Sequence, residues 1–240
     1  MTLDVRLFPC LTDNYGFLVR DPATGRVGAV DTPDADAVLG DLERSGWGRL
    51  DLILNTHWHP DHTGGNAALQ AATGCEVVGP EEVARVAPLD RIVRGGDRVA
   101  LGETTLEVID TPGHTLGHVA WLAPGMAFVG DTLFALGCGR LFEGTPEQMW
   151  DSLQRLAALP DEMVVWCAHE YTAANARFAL SLDPRPEMRA HAEAIFARRD
   201  RGEPTVPTTI GMEKAFNPFL RAADAGDFAA RRAAKDAFKG

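Results

Sequence analysis

The stretch Thr56-His57-Trp58-His59-Pro60-Asp61-His62 carries three imidazoles and one carboxylate within six positions. Neutral imidazole and carboxylate are ligands for borderline and hard divalent cations, and histidines used only for packing would have to bury three polar rings side by side. A solvated polar loop is the alternative use of such a cluster. His57 and His59 lie two apart, so in an extended or turning segment they project to the same side and both can reach one ion. Asp61 and His62 follow a turn further on, where the chain is predicted to enter a helix from near Gly64 to Gly74. That position suits a second ion, and a two-metal arrangement would set the ions about 3.5 to 4 Å apart.

These side chains need rigid elements to present them, and the cluster directly follows the apolar run Leu50 to Leu54. Three further strand-like runs end in residues of the same chemistry. Thr105 to Ile109 leads into Asp110-Thr111-Pro112-Gly113-His114-Thr115-Leu116-Gly117-His118, Ala127 to Val129 into Gly130-Asp131-Thr132, and Met163 to Ala168 into His169-Glu170-Tyr171. Ligands at strand ends are how rigid scaffolds hold reactive groups. Other strands are expected at Val5 to Phe8, Phe17 to Val19, Val27 to Val30, Glu76 to Val78, Val99 to Leu101 and Val119 to Leu122. Helical spacing marks Asp34 to Arg44, and Thr145-Pro146-Glu147-Gln148 opens another helix with a capping Thr, Pro at the first position and a reciprocal Gln. After His169 the chain turns Ala-, Arg- and Glu-rich, with helices expected at Thr172 to Leu182 and Pro186 to Arg201 and an extended connector at Glu203 to Thr209. Periodicity alone allows several α/β architectures.

Taken together, the His-x-His-x-Asp-His motif, His114, Asp131 and His169 resemble the metal-binding motifs of the metallo-β-lactamase superfamily. The resemblance implies a four-layer αββα sandwich in which His57, His59 and His114 hold a first ion, Asp61, His62 and His169 a second, and Asp131 bridges them. Within that superfamily the chain resembles the hydroxyacylglutathione hydrolases, or glyoxalases II. The likeness rests on Leu11-Thr12-Asp13-Asn14-Tyr15, Gly130 to Phe134, Gly137 to Thr145, His169 to Thr172, Gly202 to Pro207 and Asn217-Pro218-Phe219-Leu220-Arg221. It implies a metal domain at residues 1–170 and a small helical substrate-binding lobe at 171–240. It further implies two divalent cations, zinc first with iron or manganese as alternatives. The expected reaction is hydrolysis of S-(2-hydroxyacyl)glutathione by a metal-bound hydroxide that Asp61 and Asp131 position.

Glutathione carries two carboxylates at neutral pH, so cationic groups should line its pocket. The positions that match the family's substrate contacts are Arg140, Phe142, Tyr171 and Arg221. Arg140 stands where the family often has Lys, and Phe142 where many members have Tyr. Ala222-Ala223-Asp224 lacks the basic residues often found after Arg221, which leads us to expect weaker glutathione binding than in relatives that have both features. Tyr15, Asp31 and His118 are read as core or supporting residues, His118 by hydrogen bonding, and His191 as uninvolved.

Composition agrees with a water-soluble enzyme. The 240 residues are 45% hydrophobic without a run long enough to span a membrane, and no signal-peptide pattern opens the chain, so a cytoplasmic monomer is expected. Cysteines 10, 75, 138 and 167 have no paired spacing and read as reduced core thiols. A formal charge of −11 argues against nucleic-acid binding. The alternatives are a persulfide dioxygenase with one iron, whose resemblance stops short of Asn217 to Arg221, and a non-catalytic binding module with a structural metal. Against the second, structural zinc sites are closed and usually rich in cysteine.

Overall fold

The computed structural model describes residues 2–240 and forms two compact units, one through Thr111 together with Gly117–Gly130, the other Pro112–Leu116 with Asp131–Gly240. In the first unit β1 (Asp4–Cys10), β2 (Asn14–Arg20) and β3 (Val27–Val30) pair antiparallel, and β3 continues in parallel with β4 (Leu52–Leu54), β5 (Glu76–Gly79) and β6 (Arg91–Ile92). The Val-Gly-Ala-Val of β3 and Leu-Ile-Leu of β4 are buried throughout, the continuous apolar pattern of parallel strands covered on both faces. Helices α1 (Ala35–Ser45), α2 (Pro60–Thr63) and α3 (Asn66–Thr73) fall between these strands. Asp34 caps α1 by accepting from the Ala37 amide at 2.9 Å, and α1 and α3 end on Gly46 and Gly74 in the left-handed conformation that glycine adopts without strain. Val38, Leu42 and Leu69 of these helices share a core with Leu18, Ala29, Ile53 and Val77 of the sheet.

Strands β7 (Arg98–Leu101), β8 (Thr104–Asp110), β9 (Val119–Ala123) and β10 (Met126–Gly130) form an antiparallel meander. It faces the first sheet. Phe17 of β2 meets Phe128 of β10 edge-on at 5.7 Å between ring centroids, and the Trp121 indole of β9 donates to the Asn55 carbonyl beyond β4 at 3.0 Å. This unit therefore holds two facing sheets with α1 and α3 packed on the first of them.

The second unit contains the hairpin β11 (Leu133–Phe134) and β12 (Gly137–Cys138), α4 (Pro146–Ala157), β13 (Val164–Cys167), α5 (Thr172–Leu182), α6 (Pro186–Asp200), β14 (Thr208–Thr209), α7 (Ile210–Phe216) and α8 (Ala225–Ala237). The capping box foreseen at α4 is made in full: Gln148 accepts from the Thr145 amide at 2.9 Å and the Thr145 hydroxyl accepts from the Gln148 amide at 3.3 Å. Helices α5 and α6 pack through Ala176, Ala179, Met188, Ala192 and Ile195, with Leu136 completing that core. Two helices went unforeseen, α7 and α8, each capped by a side chain just before it, Thr209 and Asp224. Among the described residues no helix is long and apolar enough to cross a membrane.

Candidate functional site

In the first unit the metal-type residues sit beyond the C-terminal ends of parallel strands β3 and β4. Asp31, just past β3, has a left-handed backbone (φ 54) and three partners. It accepts from the Thr56 amide and the Thr56 hydroxyl at 2.8 Å each and lies 2.8 Å from His62 Nδ1. With its Nδ1 proton given to Asp31, His62 keeps its Nε2 lone pair for a cation, and that nitrogen is 3.5 Å from Asp61 Oδ2. Asn14, opening β2, fixes Asp61 by donating to its carboxylate at 3.0 Å and to its carbonyl at 3.2 Å. His57 follows the same logic: Nδ1 lies 3.0 Å from the Thr56 hydroxyl oxygen, whose proton goes to Asp31, so Nε2 is turned toward His59 Nδ1 at 3.0 Å. His118 stacks on His57 at 4.8 Å between ring centroids and bonds Thr111 Oγ1 through Nδ1 at 2.8 Å, the kind of contact expected of it.

In the second unit Asp131 stands between two imidazoles. Its Oδ2 is 3.4 Å from His114 Nε2 and its Oδ1 is 3.3 Å from His169 Nε2. His114 Nδ1 donates to the Arg140 carbonyl at 2.9 Å, which makes Nε2 the ring nitrogen that carries the lone pair. His169 is held between the Phe134 edge and the Tyr171 face, the latter stacked at 4.7 Å. Gly139 is required here because a Cβ would fall on the Asp131 carbonyl oxygen and within 3.1 Å of His114 Nδ1.

The donor set fits divalent metal. Two ligands on a tetrahedral ion with bonds of roughly 2.0 to 2.2 Å are themselves about 3.3 to 3.6 Å apart, close to the four donor separations of 3.0, 3.5, 3.4 and 3.3 Å. The close pairs are His57 with His59, Asp61 with His62, and one Asp131 oxygen with each of His114 and His169. All seven residues belong to groups able to hold a metal ion.

A cavity of about 460 Å³ opens on this second group, within the size range of small-molecule sites. His114, Asp131, Phe134, Cys138, Arg140, Phe142, Tyr171, Arg232 and Lys235 are part of its wall. Arg140, Phe142 and Tyr171 are thus brought together as expected, Phe142 with its ring 5.2 Å from that of His114. Arg221 is not. It pairs with Asp183 at 2.5 Å and lines a separate groove with Arg185 and Arg231.

Arg232 and Lys235 were not foreseen. They lie one turn apart on α8 and line the cavity with Arg140. Asp236 takes both Arg232, at 2.8 Å, and Arg140, at 3.8 Å. Lys235 is pushed down to about 8, first by burial and then by the neighbouring Arg232, an effect Asp236 only partly offsets. The four cysteines are free and buried, and burial holds Cys138 in the cavity wall up at about 11, so it is a wall residue and not a thiolate nucleophile.

Comparison with known proteins agrees in both halves of the chain. Residues 29–169 match the family model of the metallo-β-lactamase superfamily and residues 170–238 that of the hydroxyacylglutathione hydrolase C-terminus. A hydroxyacylglutathione hydrolase of Erythrobacter litoralis is 53% identical over 98% of this chain and 100% of its own length. Another, of Maricaulis maris, is 56% identical over 92% and 87%. Among solved structures, ETHE1 from Myxococcus xanthus superposes with a TM-score of 0.75 at 28% identity, covering 97% of this chain and 90% of that one. TTHA1623 in a di-iron-bound form gives 0.66 at 25% identity, covering 90% and 100%.

Proposed function

Because the chain belongs to the hydroxyacylglutathione hydrolase family of the metallo-β-lactamase superfamily, we propose that it hydrolyses S-(2-hydroxyacyl)glutathione to glutathione and a 2-hydroxy acid. The observation that carries this reading is a cavity lined by His114 and Asp131 together with the cationic residues Arg140, Arg232 and Lys235. A thioester whose leaving group bears two carboxylates calls for cationic groups in its pocket.

In this proposal His57, His59 and His114 would hold one cation and Asp61, His62 and His169 a second, with Asp131 available to both. Zinc is the first candidate, with iron and manganese as alternatives, and the di-iron relative supports two ions. When bound, such ions supply Lewis acidity and bring the pKa of a shared water toward neutrality. Asp31, Thr56 and the Arg140 carbonyl set the imidazole tautomers that make this binding available. Arg140, Arg232 and Lys235 hold the glutathionyl carboxylates, and Tyr171 and Phe142 flank the thioester. The leaving thiolate needs no general acid. The metal domain is placed at 1–170 and the substrate lobe at 171–240, supported by the handover between the two family models at residues 169 and 170. A cytoplasmic monomer that binds neither membrane nor nucleic acid completes the proposal.

The test is turnover of S-D-lactoylglutathione by protein from metal-supplemented culture, with metal content measured on the same sample. Rapid hydrolysis with about two ions per chain, both lost in Asp131→Ala, supports the reading. Full metal loading without hydrolysis refutes it and sends the work to persulfide oxidation.

A further inference from the structure

The hairpin β11–β12 forms part of the cavity wall through Phe134 and Cys138, and its turn is unusual. Leu136 adopts a left-handed backbone (φ 57) that a leucine rarely takes unaided. Its polar backbone groups are taken up by side chains distant in sequence. Asn175 of α5 donates to the Ala135 carbonyl at 3.1 Å. Asn217, just after α7, donates to the Phe134 and Gly137 carbonyls at 3.2 and 2.9 Å. Glu213 of α7 accepts from the Leu136 amide at 2.8 Å and from the Asn217 amide at 2.9 Å, while its other oxygen accepts from the Thr208 hydroxyl at 2.7 Å. A buried carboxylate is costly, and here it is placed where it binds the turn and the second clamping residue at once.

We propose that Glu213 is a positioning residue for the hydrolysis: with Asn217 it clasps the Leu133–Cys138 hairpin and thereby sets the cavity wall against which the glutathionyl group binds. The inference rests on the thioesterase reading of that cavity. Phe134 transmits the effect, since its ring also meets His169 at 5.8 Å and Tyr171 at 5.4 Å. All three partners of Glu213 donate, so the ionised form grips hardest. Protonation weakens the bonds from Leu136 and Asn217 and obliges Thr208 to turn and accept.

Burial raises Glu213 to about 7, which places this change in the working pH range. Around it, Cys167 of β13 is held up at about 12 by burial and stays neutral, Lys214 of α7 is paired outward with Asp161 at 2.7 Å, and Glu147, Asp151 and Arg155 of α4 are exposed. The ionisation is therefore Glu213's own.

Metal-loaded wild type, Glu213→Gln and Glu213→Ala are compared for lactoylglutathione hydrolysis and, by calorimetry, for glutathione binding on either side of pH 7, with melting temperatures alongside. The expected wild-type result is that KM and the glutathione Kd fall about three- to tenfold as pH rises through 7, with kcat changing less. Glu213→Gln, whose amide can face Thr208, keeps the fold and holds the weaker, low-pH affinity throughout. Glu213→Ala weakens binding further. A Glu213→Gln protein that retains the wild-type response through pH 7, or a folded Glu213→Ala with unchanged KM and Kd, overturns the clasp. Absence of hydrolysis by the wild type refutes the thioesterase reading instead, while the glutathione titrations still decide the clasp.

Discussion

Lys235 offers the most direct link between an electrostatic feature and a kinetic observable. Lys235 is part of the cavity wall with Arg232 and Arg140; its ammonium donates one of its three N–H bonds to the Ala174 carbonyl at 2.9 Å and is depressed to about 8 by burial and by Arg232. If it holds a substrate carboxylate, the interaction is a charge-assisted hydrogen bond worth about 1.5 to 3 kcal/mol, or roughly 10- to 150-fold in affinity. Lys235→Met should raise KM by about that factor at pH 7 with kcat within about twofold, since the group touches the thiol portion and not the reacting carbonyl. The sign of the pH dependence follows from the depressed value: the charge is present below about 8 and lost above it, so kcat/KM, which reports the free enzyme, falls toward tenfold per pH unit on the alkaline side. Lys235→Arg supplies the control, because guanidinium stays protonated throughout. Steady-state kinetics on the three proteins at constant ionic strength settle the matter. An alkaline fall that persists unchanged in Lys235→Arg, or a Lys235→Met enzyme with wild-type KM, would refute the assignment.

Three other substitutions separate the parts of the site. Gly139→Ala forces a Cβ onto the Asp131 carbonyl and should abolish metal retention or folding; metal content and melting temperature read the result. Asp31→Ala removes three partners from the His62 and Thr56 network and should lower metal affinity about 10- to 100-fold, measured by competition with a chelating dye. Phe142→Tyr adds a hydroxyl on an exposed ring beside His114, and a KM for lactoylglutathione that does not fall would count against its contact with substrate.

The candidate metal-site residues were legible because histidine and aspartate clustered after apolar strands, a local pattern that survives without knowledge of the fold. The longer strands and α1, α3, α4, α5 and α6 were readable for the same reason: each carries enough turns or alternations to show a period. Strands β6, β11, β12 and β14 have two residues each and show none. Arg221 illustrates a different limit, since its partner Asp183 lies 38 residues away and nothing local announces the pair. The basic cavity wall was missed for want of reading α8 as a helix. The signal was there, in Asp224 capping the Asp227 amide and in Arg232 and Lys235 spaced to share one helical face. Glu213 and Asn217 also lie about one helical turn apart, at i, i+4, but the hairpin they hold could not be inferred from it.

The contrast between the whole chain and its cavity sets the range at which anions are sorted. A formal charge of −11 opposes an approaching dicarboxylate, whereas Arg140, Arg232 and Lys235 attract it once it has arrived. At physiological salt both influences fade beyond about 8 Å. Capture is therefore a contact decision and not a long-range one. Small anions with a single charge gain little at the wall to offset the repulsion outside it, while a ligand long enough to set a carboxylate on the wall and a carbonyl at His114 and Asp131 gains at both ends. On the proposed function, discrimination would reside in reach, the span between the ligand's carboxylate and its reacting carbonyl, more than in charge itself.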